Sequence, residues 1–159
     1  YIDMTFSKAE ANAFFWWGLV YSLAPSGITN PNVRQKHRDE GLVLVEEKRG
    51  ANNLQKYVER TKKYFFFKQF ANFVKPGYTR IKVDAQTETP LSAFISSDKK
   101  SVVVVVTNSS NKPLKMKFEN SFEPAIVEAY QTDPNRNCEP VSVLSAIPSK
   151  SVRTVIFKK

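Results

Sequence analysis

Both tryptophans of the chain lie side by side in an apolar run at residues 13–20 (AFFWWGLV), which constrains the fold more than any other segment. Such a run, followed by loop signals at Pro25 and Gly27, is typical of a strand buried on both faces, as in parallel sheets. Adjacent strand residues point to opposite faces, so one indole would face the interior and the other the covering helices. An indole at the end of such a strand serves either as core or as a platform for the apolar face of a sugar.

The charge of the chain suggests a solvated surface rather than a nucleic-acid partner. The net charge of +9 is spread along the chain and is densest from Arg34 to Lys75. A basic patch with aromatic neighbours is one signature of nucleic-acid binding. The sequence lacks the glycine-rich clamp, the aromatic RNA-binding motif and the helix-turn-helix that would accompany it, so we expect no nucleic-acid partner.

Cysteine and histidine are too scarce for a metal centre of the usual type. Cys138 is the single cysteine and His37 the single histidine, which excludes an internal disulfide and a Cys/His zinc site. We expect neither a metal nor a cofactor. No apolar run reaches the roughly 18 residues that a membrane span needs.

Residues 1–77 mix helix and strand signals. An S-x-x-E capping box from Ser7 to Glu10 predicts a short helix. Phe66, Phe70 and Phe73 form the apolar stripe of a second helix, which Pro and Gly then end. The predicted elements in chain order are a helix over 7–12, a strand over 13–20, a loop over 24–40, a strand over 42–46 and a helix over 61–75.

Residues 78–159 have the pattern of an antiparallel β-sandwich of about seven strands. Short alternating segments are separated by turn signals, and the uninterrupted valines Val102–Val106 predict a central strand. A single strand and one helix cannot bury their apolar faces alone, so residues 1–77 look like the last βα unit of a larger parallel structure. The predicted strands of the second half are 78–84, 91–96, 101–107, 114–118, 125–131, 141–144 and 151–157.

Three stretches resemble the C-terminal third of glycoside hydrolase family 30, which includes glucuronoxylanases, β-1,6-galactanases and glucosylceramidase. They are residues 11–17 (ANAFFWW), the aromatic helix 64–73 and residues 73–81 (FVKPGYTRI), which resemble the passage from the last barrel helix to the side domain. The resemblance implies a β-rich α+β fold. Residues 1–77 would be the end of helix 7, strand 8 and helix 8 of a (β/α)8 barrel, and residues 78–159 an antiparallel side β-sandwich of about seven strands.

The resemblance also implies an activity that this chain alone would lack. Family members are retaining hydrolases of β-linked glycans, with two glutamates about 5–5.5 Å apart. Because the chain would begin inside helix 7, both catalytic glutamates are expected upstream of Tyr1, and the isolated chain is expected to be inactive. A glycan substrate and a secreted or periplasmic location are implied as well.

The predicted substrate-binding residues follow from the same resemblance. Trp17 corresponds best to the strand-8 tryptophan that lines the subsite of the sugar to be cleaved. Trp16 would pack outward, although a slip of one residue would exchange the two. Tyr21 at the strand end, and Asn30 and Asn32 in the following loop, complete the set, and turn structure explains the asparagines equally well.

A second class of function is a non-catalytic carbohydrate-binding or structural β-sandwich module. It would need a planar row of exposed aromatics, whereas the aromatics of the second half alternate as core residues do.

The aromatic residues of 1–77 also need a cover. We expect either the remainder of the barrel, in cis or as a separate chain, or self-association through this face.

Overall fold

The computed structural model describes residues 2–23, 30–49, 54–84, 89–119 and 122–159. The β-rich α+β fold predicted from the sequence, with few helices and antiparallel sheets, is confirmed. The elements in chain order are α1 (Ile2–Ser7), β1 (Val20–Ser22), α2 (Pro31–Glu40), β2 (Val43–Arg49), β3 (Leu54–Arg60), α3 (Lys62–Ala71), β4 (Thr79–Ile81), β5 (Leu91–Ile95), β6 (Ser101–Asn108), β7 (Ile126–Thr132), β8 (Asn137–Pro140) and β9 (Ser151–Lys158).

The chain forms two compact units. The small unit is Phe15–Phe65, and the large unit is Tyr1–Phe14 together with Phe66–Lys159. The predicted division at residue 77 remains a prediction.

The small unit contains a three-stranded mixed sheet in the order β1-β2-β3. β1 runs parallel to β2, with Val20 opposite Val43, and β2 pairs antiparallel with β3. Parallel neighbours need a crossover, and α2 lies within this one. Leu23, Leu42 and Leu44 are buried in the unit.

Part of the predicted loop over 24–40 is a helix. Residues 24–29 lie outside the described residues, but α2 occupies Pro31–Glu40, so the prediction is wrong there. The Asn30 side chain accepts a hydrogen bond from the Asn32 N–H at 2.9 Å, and Pro31 takes the first helical position. Asparagine and proline break structure in a loop, but in this order they begin a helix.

The predicted buried strand over residues 13–20 is wrong. Of that run only Val20 belongs to a strand, and Phe15 and Trp17 are 90% and 86% exposed. Gly18 has a φ of +91°, a left-handed conformation that interrupts an extended chain. The helix predicted over 7–12 is also wrong, because α1 spans Ile2–Ser7 and ends where the capping-box pattern begins.

The large unit contains a six-stranded antiparallel sheet in the order β4-β5-β6-β9-β7-β8. As predicted, the valine run is a central strand. It forms β6, which lies between β5 and β9, and its residues Val103–Val106 are buried. β6 and β9 pair over their whole length, from Ser101 opposite Lys158 to Asn108 opposite Ser151.

Both faces of this sheet carry an apolar core. On one face Phe70 packs with Phe94 and Val105, and Phe6 of α1 joins them. The helix predicted over 61–75 is present as α3, and its aromatic stripe therefore has the sheet as cover. The other face holds the second core. Its members include Ala93, Val104, Val106, Ala129, Val155 and Phe157, with Leu114, Met116, Phe118, Phe122, Val141 and Val143 packed against them.

Two predicted strands over this second face do not form. Residues 114–118 contribute a single bridge, between Leu114 and Ile147. Residues 141–144 lie beyond β8, where the Ser145 N–H donates to the Ser142 carbonyl at 3.2 Å and makes a turn. Serine competes with the sheet by local hydrogen bonding, which explains why pairing ends here.

Candidate functional site

The five predicted site residues all lie in the small unit, and three of them meet at the end of α2. Trp16, Trp17 and Tyr21 are organised around Glu40, the last residue of that helix. Asn30 and Asn32 are at the other end of α2. We refer to Trp16, Trp17, Tyr21, His37 and Glu40 as the aromatic cluster.

Trp16 is held by the backbone of Glu40. Its indole Nε1–H donates to the Glu40 carbonyl at 2.8 Å, and the side chain is half-buried. A buried indole needs a hydrogen-bond acceptor, and a carbonyl at the end of a helix has no partner within the helix. This hydrogen bond holds the Trp16 ring in place and gives the last carbonyl of α2 a partner.

Tyr21 is hydrogen-bonded to the Glu40 carboxylate. The Tyr21 hydroxyl donates to Glu40 Oε2 at 3.3 Å. Desolvation, followed by the nearby Glu40 carboxylate, raises the pKa of the Tyr21 phenol above its ordinary value of 10.0.

The Tyr21 ring is packed between a histidine and two glycines. It lies against the His37 ring with 4.6 Å between centroids and a tilt of 31°. The His37 Nδ1 is 3.0 Å from the Ser22 carbonyl, which can only accept, so this nitrogen carries the proton. A Cβ on Gly18 would collide with the Tyr21 ring, and one on Gly41 would come within 3.2 Å of it.

Trp17 and two apolar residues near it in the sequence are exposed to solvent. Phe15 is 90% exposed, Trp17 86% and Leu19 61%. Trp17 thus presents nearly its whole side chain to solvent beside the Tyr21 hydroxyl. An exposed indole is a platform for a ligand with an apolar face.

Asn30 and Asn32 have a structural explanation. They form the N-cap of α2, with the Asn30 side chain accepting from the Asn32 N–H. Among the described contacts, neither residue shares a hydrogen bond with the aromatic cluster.

Sequence reasoning missed Glu40 and His37 because it missed α2. Once residues 31–40 are a helix, positions 37 and 40 are three apart and share a face. The pair Asn30-Pro31, which begins α2, was the signal that would have found them.

Several acidic residues of the small unit pair with cations of α2 and β3. Arg34 Nη2 lies 3.1 Å from Glu46 Oε1, and Lys56 Nζ lies 3.3 Å from Glu47. Lys36 pairs with Glu40 at 3.8 Å. These pairs are partly exposed to solvent and contribute little stability.

The described residues offer neither a group of metal ligands nor a membrane-spanning helix. In the part of the chain that the structure describes, no three His, Cys, Asp or Glu side chains are grouped so that they could hold a metal ion. None of the described helices combines the length and the apolar character needed to cross a bilayer.

Solved structures provide the comparison with known proteins, since no family model matches the chain. A GH30 endoxylanase from Clostridium papyrosolvens C71 is similar with a TM-score of 0.53 and 25% sequence identity, over 63% of this chain and 28% of that one. A glycoside hydrolase family 30 subfamily 8 xylanase from Clostridium acetobutylicum is similar in fold, with a TM-score of 0.59 and 21% identity, over 77% of this chain and 32% of that one.

The chain spans about a third of the length of these xylanases or less. The similarity extends across most of the chain, so it is not limited to one short motif. The resemblance to glycoside hydrolase family 30 is therefore confirmed as a structural similarity to two of its xylanases.

Proposed function

We propose that this chain is part of a retaining glycoside hydrolase acting on β-linked glycans, and that Trp17 forms one aromatic wall of its sugar-binding cleft. The observation that carries the proposal is the exposure of Trp17, whose side chain is 86% accessible to solvent beside the Tyr21 hydroxyl. The similarity to an endoxylanase supports a xylan-type glycan as the first ligand to test.

Stacking on Trp17 supplies binding energy and orientation. The axial C–H groups of a β-linked sugar form an apolar face that matches an indole. Covering about 80 Å² of the ring would contribute about 2 kcal/mol, at about 25 cal/mol per Å².

The hydrolytic step itself is assigned to residues outside this chain. Retaining hydrolysis needs an acid/base and a nucleophile about 5–5.5 Å apart on either side of the glycosidic bond. Glu46 and Glu47 are engaged with Arg34 and Lys56, and Glu40 anchors Tyr21. We therefore propose that the isolated chain binds glycan without cleaving it, and that the parent enzyme is secreted or periplasmic.

The remainder of a barrel, in cis or as a separate chain, is the partner that this proposal requires. The exposed Phe15 and Leu19 beside Trp17 are apolar surface that such a partner would cover in part.

The non-catalytic sandwich module has no comparable support. Among the aromatics that would have to form its exposed row, Phe94 is buried, and Phe118, Phe122, Tyr78 and Tyr130 pack against the two cores of the large unit.

Glycan binding to matched variants tests the proposal. Xylohexaose is titrated by calorimetry into the natural chain, Trp17→Ala and Phe15→Ala. Phe15 is the control, because it is an equally exposed aromatic two residues away. We expect Trp17→Ala to weaken binding about 30-fold, the equivalent of about 2 kcal/mol, and Phe15→Ala to leave it near the natural value. Equal binding by all three proteins would refute the role of Trp17. Release of reducing sugar by the isolated chain would refute the assignment of catalysis to residues outside it.

A further inference from the structure

The helix α1 of the large unit lies against β5 and β6 through a buried carboxyl group. Asp3 is 3% exposed. Its Oδ2 accepts a hydrogen bond from the Thr107 hydroxyl on β6, and its backbone carbonyl accepts one from the Ser92 hydroxyl on β5 at 3.4 Å. Asp3 therefore joins the helix to both strands. This contact is independent of the aromatic cluster and of the function proposed above.

The surroundings of this carboxyl group suit its neutral form. Its Oδ1 has no hydrogen-bond partner among the described residues, and Oδ2 has the Thr107 hydroxyl. A carboxylate that is buried with so few donors is costly, whereas a protonated carboxyl group has no charge to be solvated. The docked position of α1 therefore favours the protonated form of Asp3.

In the described part of the chain, no charged side chain of the elements packed around Asp3 acts on its carboxyl group. β5 (LSAFI) and β6 (SVVVVVTN) contain no titratable side chain, and Asp3 is the only one in α1 (IDMTFS). Burial raises the pKa of Asp3 from 3.8 to about 6, and it outweighs the Thr107 and Ser92 hydroxyls and the N-terminal amino group, which lower this pKa. α3 also packs on α1, and its titratable residues are not among the groups that shift the pKa of Asp3. They are Lys62, Lys63, Tyr64 and Lys68.

Aromatic packing also holds α1. The Phe6 ring meets the Phe94 ring of β5 edge-on with 5.6 Å between centroids, and it lies 6.2 Å from the Phe70 ring of α3. A helix of six residues is not stable in isolation, so α1 depends on its contacts with the rest of the unit. Its packing is incomplete, since an apolar pocket of about 180 Å³ remains between Ile2 and Phe6 of α1 and Phe67 and Phe70 of α3.

The sheet beneath α1 does not depend on this helix for its backbone pairing. β5 pairs with β6 from Leu91 opposite Val106 to Ile95 opposite Val102, and β6 pairs with β9 over its whole length. Segments with few buried contacts open locally while the rest of a fold stays intact. The departure of α1 would therefore break no strand pair of the sheet.

We propose that α1 is a pH-controlled strap, which lies on β5 and β6 while the Asp3 carboxyl group is protonated and leaves them when that group ionises. Its departure would expose the Phe70 and Phe94 rings that Phe6 contacts. Between pH 3.8 and about 6 the docked form holds the Asp3 proton and the released form does not. The released fraction therefore grows as the pH rises through this window. The strap is closed in acid and opens toward neutral pH.

Native-state hydrogen exchange of the full 159-residue chain, followed by NMR at pH 5 and pH 7.5, tests the proposal. The probes are three amides that close the last turn of α1. Those of Lys8 and Ala9 donate to the Met4 carbonyl, and that of Ala11 donates to the Thr5 carbonyl. Protection factors remove the direct effect of pH on the chemical exchange rate. We expect the protection of these amides to fall about tenfold between the two pH values, because Asp3 titrates near pH 6 when docked and near 3.8 when released.

Low concentrations of urea show whether this opening is local. Exchange through the release of α1 should be insensitive to urea below the unfolding transition, since little surface is exposed. The amides of β6 are exposed by global unfolding and should lose protection with each increment of urea. At pH 7.5 we expect the three α1 probes to be at least about tenfold less protected than the β6 amides.

Three variants assign the effect to Asp3. Asp3→Asn has no carboxyl group to ionise and is expected to show equal protection of the α1 probes at both pH values. Thr107→Val removes a hydrogen bond that favours the ionised carboxyl group, so its loss of protection should exceed that of the natural chain. Glu10→Gln is the control, because Glu10 is the other carboxyl group of residues 2–14 and pairs with Arg80 at 3.3 Å. This variant should retain the tenfold fall, at about the natural size.

Three results would overturn the proposal. Equal pH dependence in the natural chain and in Asp3→Asn would show that another group controls α1. Equal protection and equal urea sensitivity of the α1 and β6 amides would show that α1 opens only with the whole unit. Protection of the α1 probes that rises with pH would assign their control to the pair of Glu10 and Arg80.

Discussion

Asp3 gives the sharpest test of the fold, because its carboxyl group is buried with one oxygen unpaired. The residue is 3% exposed, and among the described side chains its Oδ1 is a buried atom without a hydrogen-bond partner. The Thr107 hydroxyl on β6 donates to Oδ2, and the Ser92 hydroxyl on β5 donates to the Asp3 backbone carbonyl. Burial raises the pKa of Asp3 from 3.8 to about 6, and the Thr107 hydrogen bond only partly opposes it.

The difference between the pKa of Asp3 in the folded and in the unfolded chain makes the free energy of unfolding depend on pH. Between pH 3.8 and about 6 the unfolded chain has released the Asp3 proton and the folded chain still holds it. The unfolded state therefore binds fewer protons, and stability falls as the pH rises through this window. Above pH 6 the ionised carboxylate costs about 3 kcal/mol, at about 1.36 kcal/mol for each pKa unit.

Urea unfolding of the natural chain and of Asp3→Asn from pH 4 to pH 8 measures this term. The difference between the two isolates Asp3 from the other carboxyl groups. We expect the natural chain to lose about 2.4 kcal/mol relative to the variant as the pH rises from 4 to 7. Asp84→Asn, at an exposed carboxyl, is the control and should follow the natural chain at every pH. A constant difference between the natural chain and Asp3→Asn would refute the buried, unpaired state of this carboxyl. So would a difference that changes in favour of the natural chain at higher pH.

Two further changes address the aromatic cluster and the helix face of the large unit. Glu40→Gln removes the carboxylate that helps to raise the pKa of Tyr21, so ultraviolet titration of the phenol should give a lower pKa than in the natural chain; an unchanged value would exclude the contact. Phe70→Ala removes a 7% exposed ring packed with Phe6 and should lower the free energy of unfolding by about 3–5 kcal/mol. Phe15→Ala, at a 90% exposed ring, should change it by less than about 0.5 kcal/mol, and equal losses would contradict the packing of α3 on the sheet.

The elements that could be predicted are those in which local pattern and tertiary environment agree. The stripe of Phe66, Phe70 and Phe73 requires one apolar neighbour, and the sheet supplies it. The helix forms where predicted but ends at Ala71, so Phe73 packs from beyond its end. The valines of β6 are covered on both faces and pair on both edges, which a continuous β-branched run favours. For both α3 and β6, the local sequence pattern and the surrounding packing favour the same secondary structure.

The errors arise where one residue type has two roles. Proline and asparagine are found both in loops and at helix starts, and at residues 30–32 they begin α2. Only the position of the N-cap distinguishes the two roles. Residues 114–118 have strand periodicity, but a ladder needs a partner backbone, which the sequence of one segment cannot reveal. The strand predicted over residues 13–20 does not form for a third reason. Gly18 has a left-handed conformation that interrupts an extended chain, despite the strand preference of its seven apolar neighbours.

The conformation of Gly18 also shapes the candidate site. Strand alternation predicted that one indole would face the interior and the other the covering helices. The two indoles do differ in environment, but residues 16 and 17 belong to no strand, and Trp16 is held by the Glu40 carbonyl. Trp16 donates to the Glu40 carbonyl and is half-buried, while Trp17 is exposed beside the Tyr21 hydroxyl. Because the turn at Gly18 leaves room for the Tyr21 ring, any side chain at position 18 would displace that ring. A substitution at Gly18 would therefore disturb the surroundings of Trp17, the residue that we propose as the sugar platform.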